Sequence, residues 1–228
     1  MTFQRDGFQI FEGGLTSHAV TILTDLSYKH EAAVRASNRP WGEIGRFEEP
    51  TLNAIEVFAD PVKESILANT DYGWGRLTSS IAYPQLTYSF QTDEVGLALV
   101  QHVDGAADGP EEATECEILV GALLSSVASE AGGPFVLWPT SHISGRNYLL
   151  KHLQMPAWNA IRTIPKDSSR PQPFVGQIGD VILVHRLLQH GTATRSTPGV
   201  RRMAFIRLGF VWPPYAVNTP VGKTGFAR

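Results

Sequence analysis

The chain has 228 residues, of which 43% are hydrophobic, 10% aromatic and 18% charged, with 21 glycines, 15 prolines and a formal net charge of −3. This balance excludes a disordered, collagen-like or coiled-coil protein, and the length suits one globular domain spanning residues 1–228. No apolar run approaches the roughly 20 residues of a membrane helix, and the start carries no basic segment followed by a long apolar one, so a cytoplasmic protein without a membrane partner is expected.

Cys116 stands alone, so no internal disulfide can form, and a lone cysteine is by default a small buried hydrophobe. The charge is uneven: residues 1–161 hold 9 Lys/Arg against 20 Asp/Glu, whereas 162–228 hold 10 against 2. Such a basic third most commonly pairs with the acidic part of its own fold. Aromatic residues do not interleave with it, and no zinc-finger or helix-turn-helix pattern is present, so nucleic acid is not expected as a partner.

In chain order, Leu15, Ala19, Ile22, Leu23, Leu26, Ala33 and Val34 recur at helical spacing behind Thr16 or Ser17 as a cap, which predicts one amphipathic helix. A second pattern (Leu52, Ile55, Phe58, Ala59, Val62, Ile66, Leu67) is interrupted at Asp60-Pro61, which predicts two short helices or one kinked helix. The helical part is expected over about 1–72. Beyond it, runs rich in β-branched and aromatic residues at 81–90, 97–103, 117–127, 134–138, 180–185 and 201–211 predict strands. Their spacing leaves no room for a crossover helix between each pair, so the sheets should be antiparallel. The expected fold is therefore mainly β with N-terminal helices (α+β), a double-stranded jelly roll over about 73–212, followed by an irregular tail at 213–228.

The chemistry lies among seven histidines: His18, His30, His102, His142, His152, His185 and His190. In an extended segment residues two apart share a face, so His102 and Asp104 can grip one ion. His190 follows the turn Gly179-Asp180 and an apolar strand, and can return a second imidazole to the same cavity. His185, five residues earlier, is the alternative in another register and otherwise structural. Two imidazoles and one carboxylate leave three coordination positions open, the arrangement that ferrous oxygenases use to hold a cosubstrate and O2. The cosubstrate 2-oxoglutarate chelates iron through its keto acid and leaves a distal carboxylate for a bidentate guanidinium. Arg201 lies eleven residues after His190, and the hydroxyl of Thr192 is placed to assist. Arg202 and Arg207 compete for this role. Alternation puts Arg201 and Arg207 on one face and Arg202 on the other, and spacing favours Arg201.

The segments His102-Val103-Asp104, Gly132-Gly133-Pro134-Phe135-Val136-Leu137-Trp138-Pro139-Thr140-Ser141-His142, and Gly179-Asp180 through His190-Gly191-Thr192 to Arg201 resemble the phytanoyl-CoA dioxygenase family of Fe(II)- and 2-oxoglutarate-dependent oxygenases. The resemblance covers about residues 80–211 and implies a cupin-like double-stranded β-helix. It implies His102, Asp104 and His190 as catalytic iron ligands, and Arg201 with Thr192 as the holders of 2-oxoglutarate. Tyr88, on the strand before the His-x-Asp segment, is expected either to hydrogen-bond the cosubstrate or to pack.

The sequence departs from the family pattern at Leu123, where relatives often carry tryptophan, and at Thr140, where the usual turn reads Pro-Gly-Ser-His. Leu123, Trp138 and Arg146 are the candidate substrate contacts, while His142 reads as a turn residue. The expected activity is hydroxylation of an unactivated C–H bond of a small molecule (a specialised metabolite, amino acid or acyl derivative), with release of succinate and CO2. The expected assembly is a monomer or homodimer. The competing reading is a jelly-roll protein that binds a metal or ligand without turnover, and the retention of Arg201 beside a complete triad argues against it.

Overall fold

The structure is a computed structural model that describes residues 3–36, 41–44, 56–69, 85–104 and 118–208. Cys116, Leu52, Ile55, residues 81–84 and 209–211 of the expected strands, and the 213–228 tail lie outside them. The elements run α1 (Phe3–Asp6), β1 (Phe8–Phe11), α2 (Ser17–Arg35), β2 (Trp41–Ile44), α3 (Asp60–Asn69), β3 (Gln85–Phe90), β4 (Leu97–His102), β5 (Ile118–Leu123) and β6 (Phe135–Leu137). They continue as α4 (Ser141–Lys151), α5 (Ala157–Arg162), β7 (Gln172–Phe174), β8 (Val181–His185), β9 (His190–Ala193) and β10 (Val200–Leu208).

The strands form two antiparallel sheets rather than a closed barrel: a six-stranded sheet ordered β1-β8-β5-β10-β3-β2 and a four-stranded one ordered β4-β9-β6-β7. Alternation along the large sheet decides what each face meets. Leu86, Tyr88, Ile118, Val120, Val181, Leu183, Ala204 and Ile206 pack outward against Ala19, Leu23, Val62 and Ile66 of α2 and α3. The alternate residues Leu119, Leu123, Ile182, Val184, Met203 and Phe205 face inward, onto Phe135, Leu137 and Phe174 of the small sheet. Each such fully buried side chain contributes about 1.5–3 kcal/mol of transfer free energy, so the inner cluster holds the two sheets face to face.

The first predicted helix is α2, and Thr16 is its cap, accepting from the Ala19 backbone N–H at 3.3 Å. The second pattern yields α3, which begins at Asp60-Pro61. Three expectations need correction. The segment before residue 72 is not purely helical, because Phe8 to Phe11 pair with β8 at the edge of the large sheet. The strand expected over 117–127 ends at Leu123, since the chain leaves the sheet where the Ser125 hydroxyl accepts from the Arg202 backbone N–H at 2.8 Å. Two helices, α4 and α5, interrupt the expected all-β core. Helix α4 leaves Ile143 and Leu150 exposed while burying His142 and Gly145, so its sequence carries little helical periodicity.

Candidate functional site

Strands β4 and β9 lie side by side, with His102 directly opposite His190. The two rings meet edge-on at 4.4 Å between centroids. Asp104, just beyond the end of β4, places Oδ1 3.7 Å from His190 Nε2. One ligand atom from each of His102, Asp104 and His190 lies within 4.8 Å of the others. This is the sole such cluster of His, Cys, Asp and Glu among the described residues.

The tautomers are fixed by the backbone. His102 Nδ1 lies 2.7 Å from the Val100 carbonyl, and His190 Nδ1 lies 2.9 Å from the Leu188 carbonyl. A carbonyl oxygen can only accept, so both Nδ1 atoms carry the proton and both Nε2 lone pairs are left for a cation. Burial, reinforced by the neighbouring His190, pushes the His102 imidazole down to about 4, which keeps it neutral and ligand-competent at physiological pH. Burial alone would raise the Asp104 carboxyl, but the Arg207 guanidinium and the two histidines outweigh it and hold that carboxyl well below the usual range. A neutral, neutral and anionic donor set of two nitrogens and one oxygen suits ferrous iron with three positions left open.

Arg201 projects from β10 toward the inside of the fold and is fully buried. Its Nε donates to the Gly133 carbonyl at 3.1 Å, Nη1 to Thr87 Oγ1 at 2.9 Å and Nη2 to Thr192 Oγ1 at 3.5 Å. Gly133 adopts φ +67°, and a Cβ there would lie 2.6 Å from Ser89 Oγ, so only glycine brings this carbonyl so close. Among the described residues no carboxylate faces Arg201, and burial, with Arg195 nearby, pulls its guanidinium down to about 9. A buried cation held by neutral acceptors is incomplete without an anion. Ser89 Oγ, in register opposite Arg201, is buried with no hydrogen-bond partner. A carboxylate would supply both the charge and the acceptors that this pocket lacks.

The structure thus brings His102, Asp104 and His190 together and joins Arg201 to Thr192. Of the two roles expected for Tyr88, the structure shows packing and not contact with the Arg201 pocket. Tyr88 faces α2, where its hydroxyl donates to the Ser27 carbonyl at 2.8 Å, because the even positions of β3 point to the helical side. Its neighbour Thr87 faces Arg201 instead. Leu123 belongs to the inner core with Phe135, whose ring lies 5.3 Å from His190. Trp138 is buried past β6, where its backbone N–H donates to the Gln189 carbonyl at 2.9 Å. Arg146 lies on the exposed side of α4. His185 stays outside the triad, accepting from the Leu187 N–H at 3.0 Å, and His142 donates from Nε2 to the Gln4 carbonyl at 3.1 Å. Arg202 lies on the opposite face from Arg201, as alternation predicts, and pairs with Glu31 at 3.0 Å.

Sequence reasoning missed the two glutamines that each precede a histidine of the triad. Gln101 Nε2 donates to Gln189 Oε1 at 2.6 Å and to the Asp167 carbonyl at 2.9 Å, while Gln189 Nε2 donates to the Pro165 carbonyl at 2.8 Å. This bridge ties β4 to β9 where their ladder is broken by two register shifts. The available signal was the repeated Gln-His dipeptide at 101–102 and 189–190.

The family profile described as Phytanoyl-CoA dioxygenase (PhyH) matches residues 3–203. Among curated proteins, none matches the chain in sequence. Of solved structures, the non-heme alpha ketoglutarate dependent carbocyclase SnoK from nogalamycin biosynthesis is similar at TM-score 0.58 and 11% identity, covering 90% of this chain and 81% of its own. The structure of EctD from S. alaskensis with 2-oxoglutarate and 5-hydroxyectoine is similar at TM-score 0.54 and 18% identity, covering 96% and 79%. The epimerase SnoN in complex with Fe3+, alpha ketoglutarate and nogalamycin RO is similar at TM-score 0.54 and 12% identity, covering 98% and 86%. At these identities the likeness is one of fold, the jelly roll described above. No helix among the described residues is long and apolar enough to cross a membrane.

Proposed function

Because the chain belongs to the phytanoyl-CoA dioxygenase family, whose members are Fe(II)- and 2-oxoglutarate-dependent oxygenases, we propose that it hydroxylates an unactivated C–H bond of a small molecule. In this reading His102, Asp104 and His190 hold the iron, and Arg201, Thr192 and Thr87 hold the distal carboxylate of 2-oxoglutarate. When bound, iron, 2-oxoglutarate and O2 together supply the oxidising power that turns C–H into C–OH while 2-oxoglutarate leaves as succinate and CO2.

The observation that carries the proposal is the buried Arg201, whose described partners are neutral. The residues of the chain do the remaining work. The Val100 and Leu188 carbonyls hold the two imidazoles in the ligating tautomer. Asp104 occupies the third ligand place with a carboxylate, which leaves no halide in that position and favours hydroxylation over halogenation. Phe135, whose ring lies 5.3 Å from that of His190 and 5.0 Å from that of Phe205, gives the His190 side of the triad an apolar wall. The small molecules named in the SnoK, EctD and SnoN structures support a diffusible metabolite as substrate. The proposal extends to a cytoplasmic enzyme acting as a monomer or homodimer, without a nucleic-acid partner.

The test is an anaerobic titration of apoprotein with Fe(II) and then 2-oxoglutarate, read by the weak visible band of the chelated keto acid. A saturable band that His102→Ala abolishes and Arg201→Met weakens is expected, followed by substrate-dependent succinate release in air. Folded protein that binds iron but never develops the band refutes the proposal.

A further inference from the structure

Alternation along β10 puts Arg207 on the same inward face as Arg201, six residues further along the strand and four beyond the end of the family match at residue 203. The two arginines serve opposite ends of this face. Arg201 is enclosed among the Gly133 carbonyl and two threonine hydroxyls, whereas Arg207 reaches the triad. Its Nη2 donates to Asp104 Oδ1 at 3.3 Å, and its Nε lies 3.2 Å from Asp104 Oδ2. The Oδ2 contact is ionic rather than an aligned hydrogen bond, and Oδ2 is buried with no hydrogen-bond partner. The far side of the guanidinium is anchored as well: Nη1 donates to Gln85 Oε1 at 2.6 Å, and Gln85 Nε2 donates in turn to Glu43.

We infer that Arg207 is a positioning residue for the metal site, a fork that fixes the plane of the Asp104 carboxylate so that a single oxygen, Oδ1, faces His190. The inference rests on the proposed iron site. Asp104 needs such a device more than either histidine does. Each histidine is set within a strand and locked by a backbone carbonyl, but Asp104 lies past the last residue of β4, and its side chain has two equivalent oxygens. A carboxylate free to turn can ligate through both oxygens and so occupy a position that the keto acid or O2 requires. A guanidinium held by both ends of its plane prevents that rotation because its donors are coplanar and rigid, which a flexible ammonium cannot match. Because Arg207 is a cation beside a cation site, the opposite sign is also physically defined: if it acted only through charge, its removal would tighten metal binding.

The experiment compares wild type, Arg207→Met, Arg207→Lys and Gln85→Leu by anaerobic titration with Co(II), read by isothermal calorimetry and by the visible d–d spectrum, with thermal melting as a check on folding. Arg207→Met is expected to weaken Co(II) binding about 10- to 100-fold, the usual effect of removing a group that orients a ligand, and to change the shape of the d–d spectrum. Arg207→Lys is expected to recover only part of the loss. Gln85→Leu, which leaves Arg207 and Asp104 in place, is expected to show a smaller loss in the same direction, and it decides the question should Arg207→Met fail to fold. Unchanged or tighter binding in Arg207→Met, or full recovery in Arg207→Lys, overturns the inference while leaving the proposed function standing. A folded wild type that binds neither Co(II) nor Fe(II) overturns both.

Discussion

Arg201→Met is the most informative single change, because it separates an effect on stability from an effect on function. The guanidinium is fully buried, and burial pulls its protonation midpoint from the ordinary arginine range down to about 9. At about 1.4 kcal/mol per pKa unit this corresponds to a cost of the order of 5 kcal/mol for keeping the charge inside without a counterion. The unfolded chain binds the extra proton only from about pH 9 up to the ordinary arginine range, so at neutral pH the cost is fully present. Removing the side chain also strips donors from the Gly133 carbonyl and the Thr87 and Thr192 hydroxyls, and each unsatisfied buried group costs about 1–3 kcal/mol. Methionine fills most of the volume. The charge saving and the cost of the three orphaned acceptors, together about 3–9 kcal/mol, nearly offset, so the expected outcome is an apoprotein within about 3 kcal/mol of wild type whose response to 2-oxoglutarate is much reduced. Urea unfolding with Fe(II) present throughout, with and without 2-oxoglutarate at a hundredfold excess over its Kd, measures this. Wild type gains about 2.7 kcal/mol from the cosubstrate and the variant, whose binding is weakened, gains much less. An Arg201→Met protein that is destabilised by more than about 3 kcal/mol, or that gains as much from 2-oxoglutarate as wild type does, would refute the view of Arg201 as a charge awaiting its anion.

Thr87→Val keeps the shape of the β3 side chain and removes the hydroxyl that accepts from Arg201 at 2.9 Å. It should weaken 2-oxoglutarate about 5- to 10-fold, in line with about 1 kcal/mol for one hydrogen bond, and leave metal binding in the Co(II) titration unchanged. Thr140 holds a left-handed φ of +67° just before α4, at the turn position where family members commonly carry glycine. Thr140→Gly should raise the unfolding free energy by about 1 kcal/mol, since relief of strain outweighs the entropy that glycine loses on folding; a lower melting temperature would contradict this. His185 is pushed by burial, and by His142 beside it, down to about 3 from 6.5. It is neutral in the folded chain and protonates first in the unfolded one. Its contribution to stability is therefore complete above pH 6.5 and is lost as the pH falls toward 3, by at most about 1.4 kcal/mol per unit. His185→Phe should flatten that acid limb in urea unfolding at pH 7.5 and 5.5, and parallel slopes for the two proteins would count against it.

How far the fold could be read in advance depended on whether periodicity was local. Helix α2 announced itself through a three-and-four repeat and the Thr16 cap, both properties of one segment. The strands of the large sheet announced themselves through apolar runs because both faces are buried, one by helices and one by the small sheet. The segments that escaped are those stabilised by partners distant in sequence. The four residues of β1 are strand only because β8 lies beside them, and β9 is four residues long and carries His-Gly-Thr-Ala, with no apolar alternation at all. Helix α4 escaped because, apart from Leu149, the residues it buries are small or polar: Ser141, His142 and Gly145.

The candidate site divides along the same line. His102 and Asp104 are two residues apart on one chain direction, so the ion-gripping geometry is written within three positions of sequence. The cosubstrate end is not written locally. It is assembled from β3, β9, β10 and the loop before β6, and it turns on a one-residue question that composition cannot answer. On β3 the odd positions Thr87 and Ser89 look into the fold, while the even positions Leu86, Tyr88 and Phe90 pack on α2 and α3. A tyrosine is the more conspicuous hydrogen-bonding residue, yet parity sends it to the Ser27 carbonyl. Parity is set by which face of the sheet the helices cover, and the apolar residues at 86, 88 and 90 against the hydroxyls at 87 and 89 already encode that choice. The same parity, continued along β10, separates Arg202, which pairs with Glu31, from Arg201 and Arg207. Counting faces before choosing residues would have found Thr87 from sequence. It would not have found the partner of Arg207, because Asp104 lies 103 residues away and comes from the other sheet. That pairing exists only once the inner cluster around Phe135 and Phe205 has brought the sheets together, so Asp104, just past the end of a small-sheet strand, is gripped by a residue of the large sheet.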